Sequence, residues 1–196
     1  MRLAVSITAL IAVVLVAGAA FANTPDPTFS TFDTFLGRSP NNDNATGPPN
    51  SQYIYRGNLR TAGNLPAVGV DNMIIELRIL SPCQNPVVLN PDADSDGNGD
   101  IAWGVLTLNQ GGGSCIGSAP AAPVVEIHVI GLGLFWTLLS VTSPDEDGIN
   151  SVDLADFALF RAVFNSGTPL YQGDMDGDGD IDLADFAWFR IHFNAV

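Results

Sequence analysis

The sequence predicts a two-domain protein, in which an all-β antiparallel sandwich is followed by a small α-helical domain of two loop–helix units. Apolar residues recur at every second position through much of residues 23–143, which is typical of half-buried strands. Residues 144–196 change to a helical period and contain a 13-residue segment that occurs twice, at an offset of 29, with ten identical positions. The charge changes at the same point, since residues 23–143 carry ten acids and four arginines, and residues 144–196 carry eleven acids and two arginines.

Residues 1–22 are predicted to be a secretory signal peptide. A Met-Arg start precedes an apolar run at 3–16, and Ala-Phe-Ala at 20–22 fits a small-x-small cleavage site. We therefore expect a secreted bacterial protein, extracellular or at the cell surface, with no membrane attachment after cleavage. An uncleaved membrane anchor is the alternative interpretation.

Acidic residues outnumber basic ones by 21 to 7, which gives a formal net charge of −14. A chain with so few basic groups has no surface that could neutralise phosphates, so the composition argues against a nucleic-acid partner. Attraction to anionic membrane surfaces is disfavoured for the same reason.

The predicted sandwich rests on strand-like runs separated by Gly, Pro, Asn and Asp. The runs are residues 52–55, 71–80, 86–89, 101–108, 124–130 and 134–141. One face of the second run is expected to hold Met73, Ile75, Leu77 and Ile79. Together with the hairpin-like Asp-Gly-Asn-Gly at 96–99, this strand spacing resembles the immunoglobulin-like modules of secreted bacterial proteins and implies an Ig-like sandwich.

Cys83 and Cys115 are the two cysteines of the chain. An even pair in an exported protein predicts one structural disulfide. By chain entropy, closing the loop between the two cysteines stabilises the fold by about 3–4 kcal/mol. A reactive thiol is the alternative.

The repeat at 153–165 and 182–194 predicts two amphipathic helices, because its leucine and phenylalanine residues recur at i, i+3, i+6 and i+10. The two stripes are Leu154, Phe157, Phe160 and Phe164 in the first copy and Leu183, Phe186, Phe189 and Phe193 in the second. We expect the aromatic stripes to pack against each other as a two-helix core.

A run of aspartates before the second helix has the spacing of a twelve-residue calcium-binding loop. A hard cation takes six to eight oxygen ligands, and alternate residues of a tight loop turn their carboxylates inward. The expected Ca²⁺ ligands are Asp174, Asp176, Asp178, Asp180 through its carbonyl, Asp182 and Asp185. Gly179 occupies position 6, where the chain turns sharply. Asp182 and Asp185 also fit the N-cap and first turn of the helix.

The first copy contains a degenerate form of the same loop. Its acids at positions 1, 3, 9 and 12 are Asp145, Asp147, Asp153 and Asp156. Ile149 at position 5 cannot ligate a cation, and Asn150 replaces the glycine, although Asn tolerates a left-handed turn. We expect a lower affinity here, and the sequence leaves the occupancy of this loop open.

Residues 145–196 resemble a type I dockerin module, a duplicated calcium loop–helix unit without the entering helix of an EF-hand. The resemblance rests on these aspartates, on Asp at position 12 and on apolar residues at loop positions 8, 13, 16 and 20. The apolar residues are Val152, Phe157, Phe160 and Phe164, then Ile181, Phe186, Phe189 and Phe193. It implies a non-catalytic module that folds on calcium and docks to a cohesin-type domain on a scaffold protein or cell surface.

The resemblance also implies partner contacts at loop positions 10, 11, 17 and 18. These are Leu154, Ala155, Arg161 and Ala162 in the first copy, and Leu183, Ala184, Arg190 and Ile191 in the second. Near-identity of the two sets suits docking in two symmetry-related orientations. The leucines can alternatively pack in the core, the arginines can be solvated, and the helices can dock on the protein's own sandwich.

A third acidic stretch, residues 92–100, imitates the calcium loop only as far as position 9. Position 12 is Trp103, which cannot close the site, and a predicted strand follows where the calcium unit has a helix. We interpret this stretch as a turn, with weak calcium binding as the alternative.

We expect no enzymatic activity, because His128 and His192, the only histidines, lie in no metal-ligand or nucleophile motif. One alternative is an accessory carbohydrate-binding protein of a polysaccharide-degrading complex. Its stacking platform would come from Trp103, Tyr53, Tyr55 or Trp136, for which core packing is the simpler interpretation. A small hydrolase targeted to a scaffold is the other alternative.

Overall fold

The computed structural model describes residues 23–38, 54–81, 83, 86–104, 113–117, 122–149, 151–165, 173–176 and 178–193. Some predicted features lie outside the described residues, in whole or in part. They are the signal peptide 1–22, the start of the run 52–55 including Tyr53, the end of the run 101–108, and residues 150, 166–172, 177 and 194–196 of the loop–helix segment.

The described residues form mostly antiparallel β-sheets with two short helices. The strands are β1 Thr31–Phe32, β2 Tyr55–Asn58, β3 Ile75–Ile79, β4 Val87–Leu89, β5 Asp100–Trp103, β6 Cys115–Ile116, β7 Val125–Val129, β8 Gly133–Leu138 and β9 Ser140–Val141. They pair into a sheet of order β1-β2-β5, a sheet of order β4-β3-β7-β8, and the two-stranded β6-β9. The helices are α1 Leu154–Val163 and α2 Leu183–His192.

Strands β3 and β7 show the predicted alternation. Ile75, Leu77 and Ile79 are buried, and they face Val129, Ile127 and Val125 across the antiparallel pair. Burying an aliphatic side chain of this size contributes about 1.5–3 kcal/mol. Because a slip of one residue would expose this whole set, the apolar period fixes the register.

Met73 does not continue the buried face of β3, and this expectation was wrong. It lies in a short 3₁₀ turn, Asn72–Ile74, and is 64% exposed. The Asp71 carboxylate accepts the Met73 N–H at 2.9 Å, so the Asp cap turns the chain before the strand begins.

One buried core is shared by all three sheets. It includes Tyr55 and Trp103 from the three-stranded sheet, Leu77 from the four-stranded sheet and Val141 from β9. Antiparallel sheets that enclose a common core agree in part with the predicted sandwich.

The predicted disulfide between Cys83 and Cys115 is confirmed, with a Cα–Cα distance of 5.3 Å. Cys83 follows β3, and Cys115 begins β6. The bond therefore ties the four-stranded sheet to the β6-β9 pair.

The two helices have an apolar cluster of their own. Its buried members are Val152, Phe160, Met175, Ile181 and Phe189. Phe160 and Phe189 stack with ring centroids 5.5 Å apart and an interplanar angle of 16°. The predicted packing of the aromatic stripes is therefore present. Within the described ranges, neither helix has the length or apolar character needed to cross a membrane.

Candidate metal centre

Both helices begin in the same way, because the repeat supplies the same capping residues. Asp153 and Asp182 are N-caps whose carboxylates accept the N–H of Ala155 at 2.7 Å and of Ala184 at 2.6 Å. Asp156 and Asp185, three residues on, accept the N–H of their own cap residue and complete a capping box. Helix initiation therefore fixes two of the predicted ligands in each loop.

The second loop brings together three of its predicted ligands. Ligand oxygens of Asp174, Asp176 and Asp185 all lie within 4.8 Å of one another. The buried Asp185 carboxylate closes the loop, since it accepts N–H groups from Met175 at 2.6 Å, Asp176 at 3.2 Å and Asp182 at 2.7 Å.

The turn at position 6 is present as predicted. Gly179 has a φ of +97°, a conformation that strains any residue with a Cβ atom. Its N–H donates to Asp174 Oδ2 at 3.2 Å, while Asp178 accepts the Asp180 N–H at 3.0 Å.

Asp180, which is expected to offer its backbone carbonyl, also places its carboxylate in an acidic group. Its carboxylate converges with those of Asp182 and Asp185 within 4.8 Å, as a second acidic group beside the first. Asp185 belongs to both groups, so it links them.

The aspartate charges of the second loop repel one another. Burial, followed by the charges of Asp185 and Asp178, raises the pKa of Asp176. Burial also raises the pKa of Asp185, although its backbone hydrogen bonds oppose the shift. For Asp180 the charge of Asp178 is the largest cause of a raised pKa. A bound cation would remove this repulsion.

The donor set of the second loop fits a hard divalent cation. It consists of carboxylate oxygens, which Ca²⁺ and Mg²⁺ prefer over nitrogen and sulfur ligands. The spacing of the carboxylates fits as well, because ligand oxygens of three of them lie within 4.8 Å of one another. The residues that would hold the ion are Asp174, Asp176, Asp178, Asp180, Asp182 and Asp185.

The first loop gathers a similar set. Asp145, Asp147 and Asp156 converge within 4.8 Å, and Asp156 accepts the Asp147 N–H at 3.0 Å. Ile149 at position 5 is 72% exposed, and its N–H donates to Asp145 at 3.1 Å. Backbone donors therefore shape this loop as they shape the second, with four aspartates in place of six, since Ile149 and Ser151 occupy positions 5 and 7.

Glu146, at position 2 of the first loop, is a buried acid that the sequence reasoning missed. Burial raises its pKa to about 8, with Asp156 and Asp145 adding to the shift and hydrogen bonds from Ser114 and Gly173 opposing it. The second copy has the buried Met175 at the same position. This exchange of a thioether for a carboxylate within the repeat is the signal that could have identified it.

The first loop packs closely against the β6 region. The Ser114 hydroxyl donates to Ser143 O at 3.1 Å and accepts the Ser143 N–H at 2.9 Å. Gly113 lies so near that a Cβ atom there would be 2.9 Å from Glu146 O and 3.0 Å from Gly148 N. A side chain at position 113 would therefore push the first loop off the sheet.

Two apolar grooves lie on the helix pair. The first, of about 270 Å³, is lined by Phe157, Phe160, Arg161, Phe164, Leu183 and Phe186. The second, of about 220 Å³, is lined by Leu154, Phe157, Phe186, Phe189, Arg190 and Phe193. The repeat offset of 29 converts each set into the other, so the grooves are equivalent in sequence. Each combines an arginine from one helix with a leucine from the other.

The eight predicted partner residues are all exposed on the helices. Leu154 and Leu183 are 73% and 72% exposed, so they line the grooves without entering the core. Arg161 and Arg190 are exposed at the groove margins. Ala155, Ala162, Ala184 and Ile191 are exposed as well.

The third acidic stretch forms a tight turn that leads into β5. Asp96 accepts the N–H of Asn98 at 2.7 Å and of Asp100 at 2.9 Å, and these bonds lower its pKa. The Asp92 carboxylate instead accepts the N–H of Gly104, and the Asp94 carboxylate accepts the N–H of Asn72. Within 92–100, all of which is described, no three acids converge.

The aromatic residues considered for sugar stacking lie mostly in the core. Trp103 and Tyr55 are fully buried and pack together with centroids 5.6 Å apart. Trp136 is partly buried and packs near Phe32. Of the histidines, His192 is buried and His128 contacts Glu126 at 2.7 Å on β7.

No protein-family model, no curated protein and no solved structure matches this chain.

Proposed function

We propose that this is a secreted, non-catalytic protein whose C-terminal loop–helix pair binds Ca²⁺ and docks to another protein, in the manner of a dockerin module. The proposed organisation is an Ig-like β-sandwich at residues 23–143 and a dockerin-like domain at 144–196. The observation that carries the proposal is the convergence of Asp174, Asp176 and Asp185 in a loop whose helix begins at the same aspartates.

The coupling between the ion and the helix supports this function. Asp185 closes the loop and also caps α2, so a cation held by its carboxylate would stabilise the start of the helix. Ile181, at loop position 8, is buried in the cluster of the helix pair. An ordered loop would therefore hold Ile181 in place and, with it, the phenylalanines packed in the same cluster.

The two equivalent grooves support the docking part of the proposal. Exposed apolar surface rimmed by a charged group marks interaction sites. Because each groove takes residues from both helices, its shape depends on how the helices pack. We propose a cohesin-type domain as the partner, bound through either groove.

Calorimetric titration of the whole chain with CaCl₂ tests the metal part. We expect saturable binding and a gain in helical circular dichroism over the chelated protein. The matched control is Asp176→Asn/Asp178→Asn, which keeps side-chain size and removes two charges, and it should lose the binding. If wild type binds nothing up to millimolar calcium and its helices are already formed, this function is wrong.

Surface plasmon resonance on immobilised cohesin-type domains tests the docking part. We expect binding in calcium that is lost in chelator. Arg161→Ala and Arg190→Ala should each have little effect, since the other groove remains, while the double variant should lose roughly tenfold or more in affinity. Equal binding with and without calcium contradicts the proposal.

A further inference from the structure

The chain passes from the β-sheets into the first loop with only three residues between β9 and Asp145, the position-1 acid. β9 itself is paired with β6. The Ser143 hydroxyl accepts the Asp145 N–H at 3.2 Å, so the last of these bonds already lies inside the loop. Pro144 stands between the two residues, and its ring fixes its own φ at about −65°. The connection therefore contains no run of freely rotating residues.

Two separate segments of the chain hold this connection. The Arg38 N–H donates to Thr142 O at 2.8 Å, and the Thr142 N–H donates to Leu36 O at 3.1 Å. The Ser114 hydroxyl accepts the Ser143 N–H at 2.9 Å and donates to Ser143 O at 3.1 Å. Both residues that precede Pro144 are therefore hydrogen-bonded to parts of the chain that are distant in sequence.

The connection is also buried. Residues 141–146 are all buried, with Val141, Ser143 and Asp145 at 0% exposure. A linker between independently moving domains is exposed instead, and few contacts cross it. Any movement of the first loop relative to the β-sheets would break the backbone hydrogen bonds of Thr142 and Ser143.

A steric contact fixes the backbone of the first loop at positions 2 and 4. A Cβ atom at Gly113 would lie 2.9 Å from Glu146 O and 3.0 Å from Gly148 N. The turn before β6 and the loop are therefore in direct contact, with no room for a side chain between them. Because Gly113 and Ser114 are adjacent, the same turn touches the loop and bonds the segment that leads into it.

We infer that the β-sheets and the loop–helix pair form one rigid body, whose joint consists of residues 141–148 and the Gly113–Ser114 turn. The joint continues into the first helix, because the Asp156 carboxylate, in the first turn of α1, accepts the Asp147 N–H at 3.0 Å. The joint therefore sets the direction in which the two apolar grooves face. A partner seated in a groove would find the β-sheets in one fixed orientation. This consequence for docking rests on the proposed function, whereas the rigidity itself does not.

Backbone amide NMR relaxation of the whole chain, in calcium-containing buffer, tests the joint. We expect order parameters of about 0.85 at the amides of residues 141–148, as in β3 and β7. The strands and α1 should share one rotational correlation time. A flexible linker would give order parameters below about 0.6 in this segment and a shorter correlation time for α1. Either of these two results would overturn the inference.

Gly113→Ala and Gly97→Ala form a matched pair of variants. Both add one methyl group, but a Cβ atom at Gly97 would meet nothing within 4 Å. Gly113→Ala should lower the order parameters of residues 145–148 and separate the correlation times of the strands and α1, whereas Gly97→Ala should match wild type. Unchanged signals from β3 and β7 show that a variant is folded. Equal order parameters in the two folded variants would overturn the inference.

Ser114→Ala tests the joint without added volume, should Gly113→Ala fail to fold. It removes the acceptor of the Ser143 N–H, so amide exchange at Ser143 should speed up by roughly tenfold. Exchange at Thr142, whose N–H donates to Leu36 O, should change less. Unchanged exchange at Ser143 would overturn the inference.

None of these measurements requires that calcium be bound. A chain with a rigid joint that binds no calcium would contradict the proposed function alone. A chain that binds calcium and has a flexible joint would overturn this inference alone.

Discussion

The first and second loops carry aspartates at the same positions, 1, 3, 9 and 12, yet they lie in different surroundings. Asp145 and Glu146 of the first loop are buried, and Gly113, just before β6, lies close to the backbone of Glu146. Asp178 and Asp180 of the second loop are exposed, and aspartate charges raise the pKa of Asp180. In both loops burial, and after it neighbouring aspartate charges, raise the pKa of an acid, Asp156 in the first and Asp176 in the second, so the loops differ in exposure rather than in the sign of their charge.

A duplicated sequence therefore does not guarantee a duplicated site. Local hydrogen bonds repeat faithfully, since Asp156 and Asp185 cap their helices alike. The packing around the first loop comes from parts of the chain outside the repeat, such as Gly113 and Ser114, so the repeat alone does not fix it. Each of the following experiments changes one side of this comparison.

The largest effect is expected from removing the disulfide beside the first loop. Cys83→Ser/Cys115→Ser should lower the free energy of unfolding by about 3–4 kcal/mol, since the unfolded chain regains the entropy of a long loop. Urea unfolding followed by circular dichroism measures this. Ser114, next to Cys115, holds Ser143, so the first loop should loosen while the calcium affinity of the second stays the same. A parallel fall in that affinity would show that the loops are not independent.

Asp185→Ala should reduce calcium affinity by about a hundredfold or more, because the loop loses its closing carboxylate. It also removes the acceptor of three backbone N–H groups, which costs about 1–3 kcal/mol of stability. Calorimetry and thermal unfolding measure the two effects. The matched Asp156→Ala should cost similar stability and leave calcium binding at the second loop unchanged. If Asp156→Ala abolished the tightest calcium binding, the first loop rather than the second would be the stronger site.

Chelation of the metal should act on one helix more than on the other. Amide hydrogen exchange in residues 174–193 should speed up by roughly tenfold when calcium is removed, because the start of α2 depends on the acidic loop. Exchange in residues 145–163 should change little. Hydrogen-exchange mass spectrometry resolves the two segments, and an equal change in both would mean that both loops depend on the ion.

The smallest effect is expected from the groove leucines. Leu154→Ser and Leu183→Ser should each change the free energy of unfolding by less than about 0.5 kcal/mol, because both side chains are mostly exposed. The same substitutions should weaken binding to a docking partner. Phe160→Ala, a change at a buried residue, should lower the free energy of unfolding by several kcal/mol. A loss of that size in the leucine variants would show that the leucines belong to the core.

Much of the fold could be predicted because local patterns decide it. Alternation in β3 and β7 fixes which residues are buried, and the repeat fixes both helix starts. Strands β1 and β6 were not predicted, since each has two residues and is defined by its partner rather than by a pattern. Met73 was misplaced because an Asp cap overrode the alternation.

The second loop can be predicted from sequence alone, because its carboxylates, its turn at Gly179 and its helix cap lie within twelve consecutive residues. The packing of the first loop follows instead from contacts between distant parts of the chain. Gly113, where a Cβ atom would meet Glu146 and Gly148, lies more than thirty residues before them. Electrostatic and steric effects depend on distance in space, which no local pattern in the sequence records.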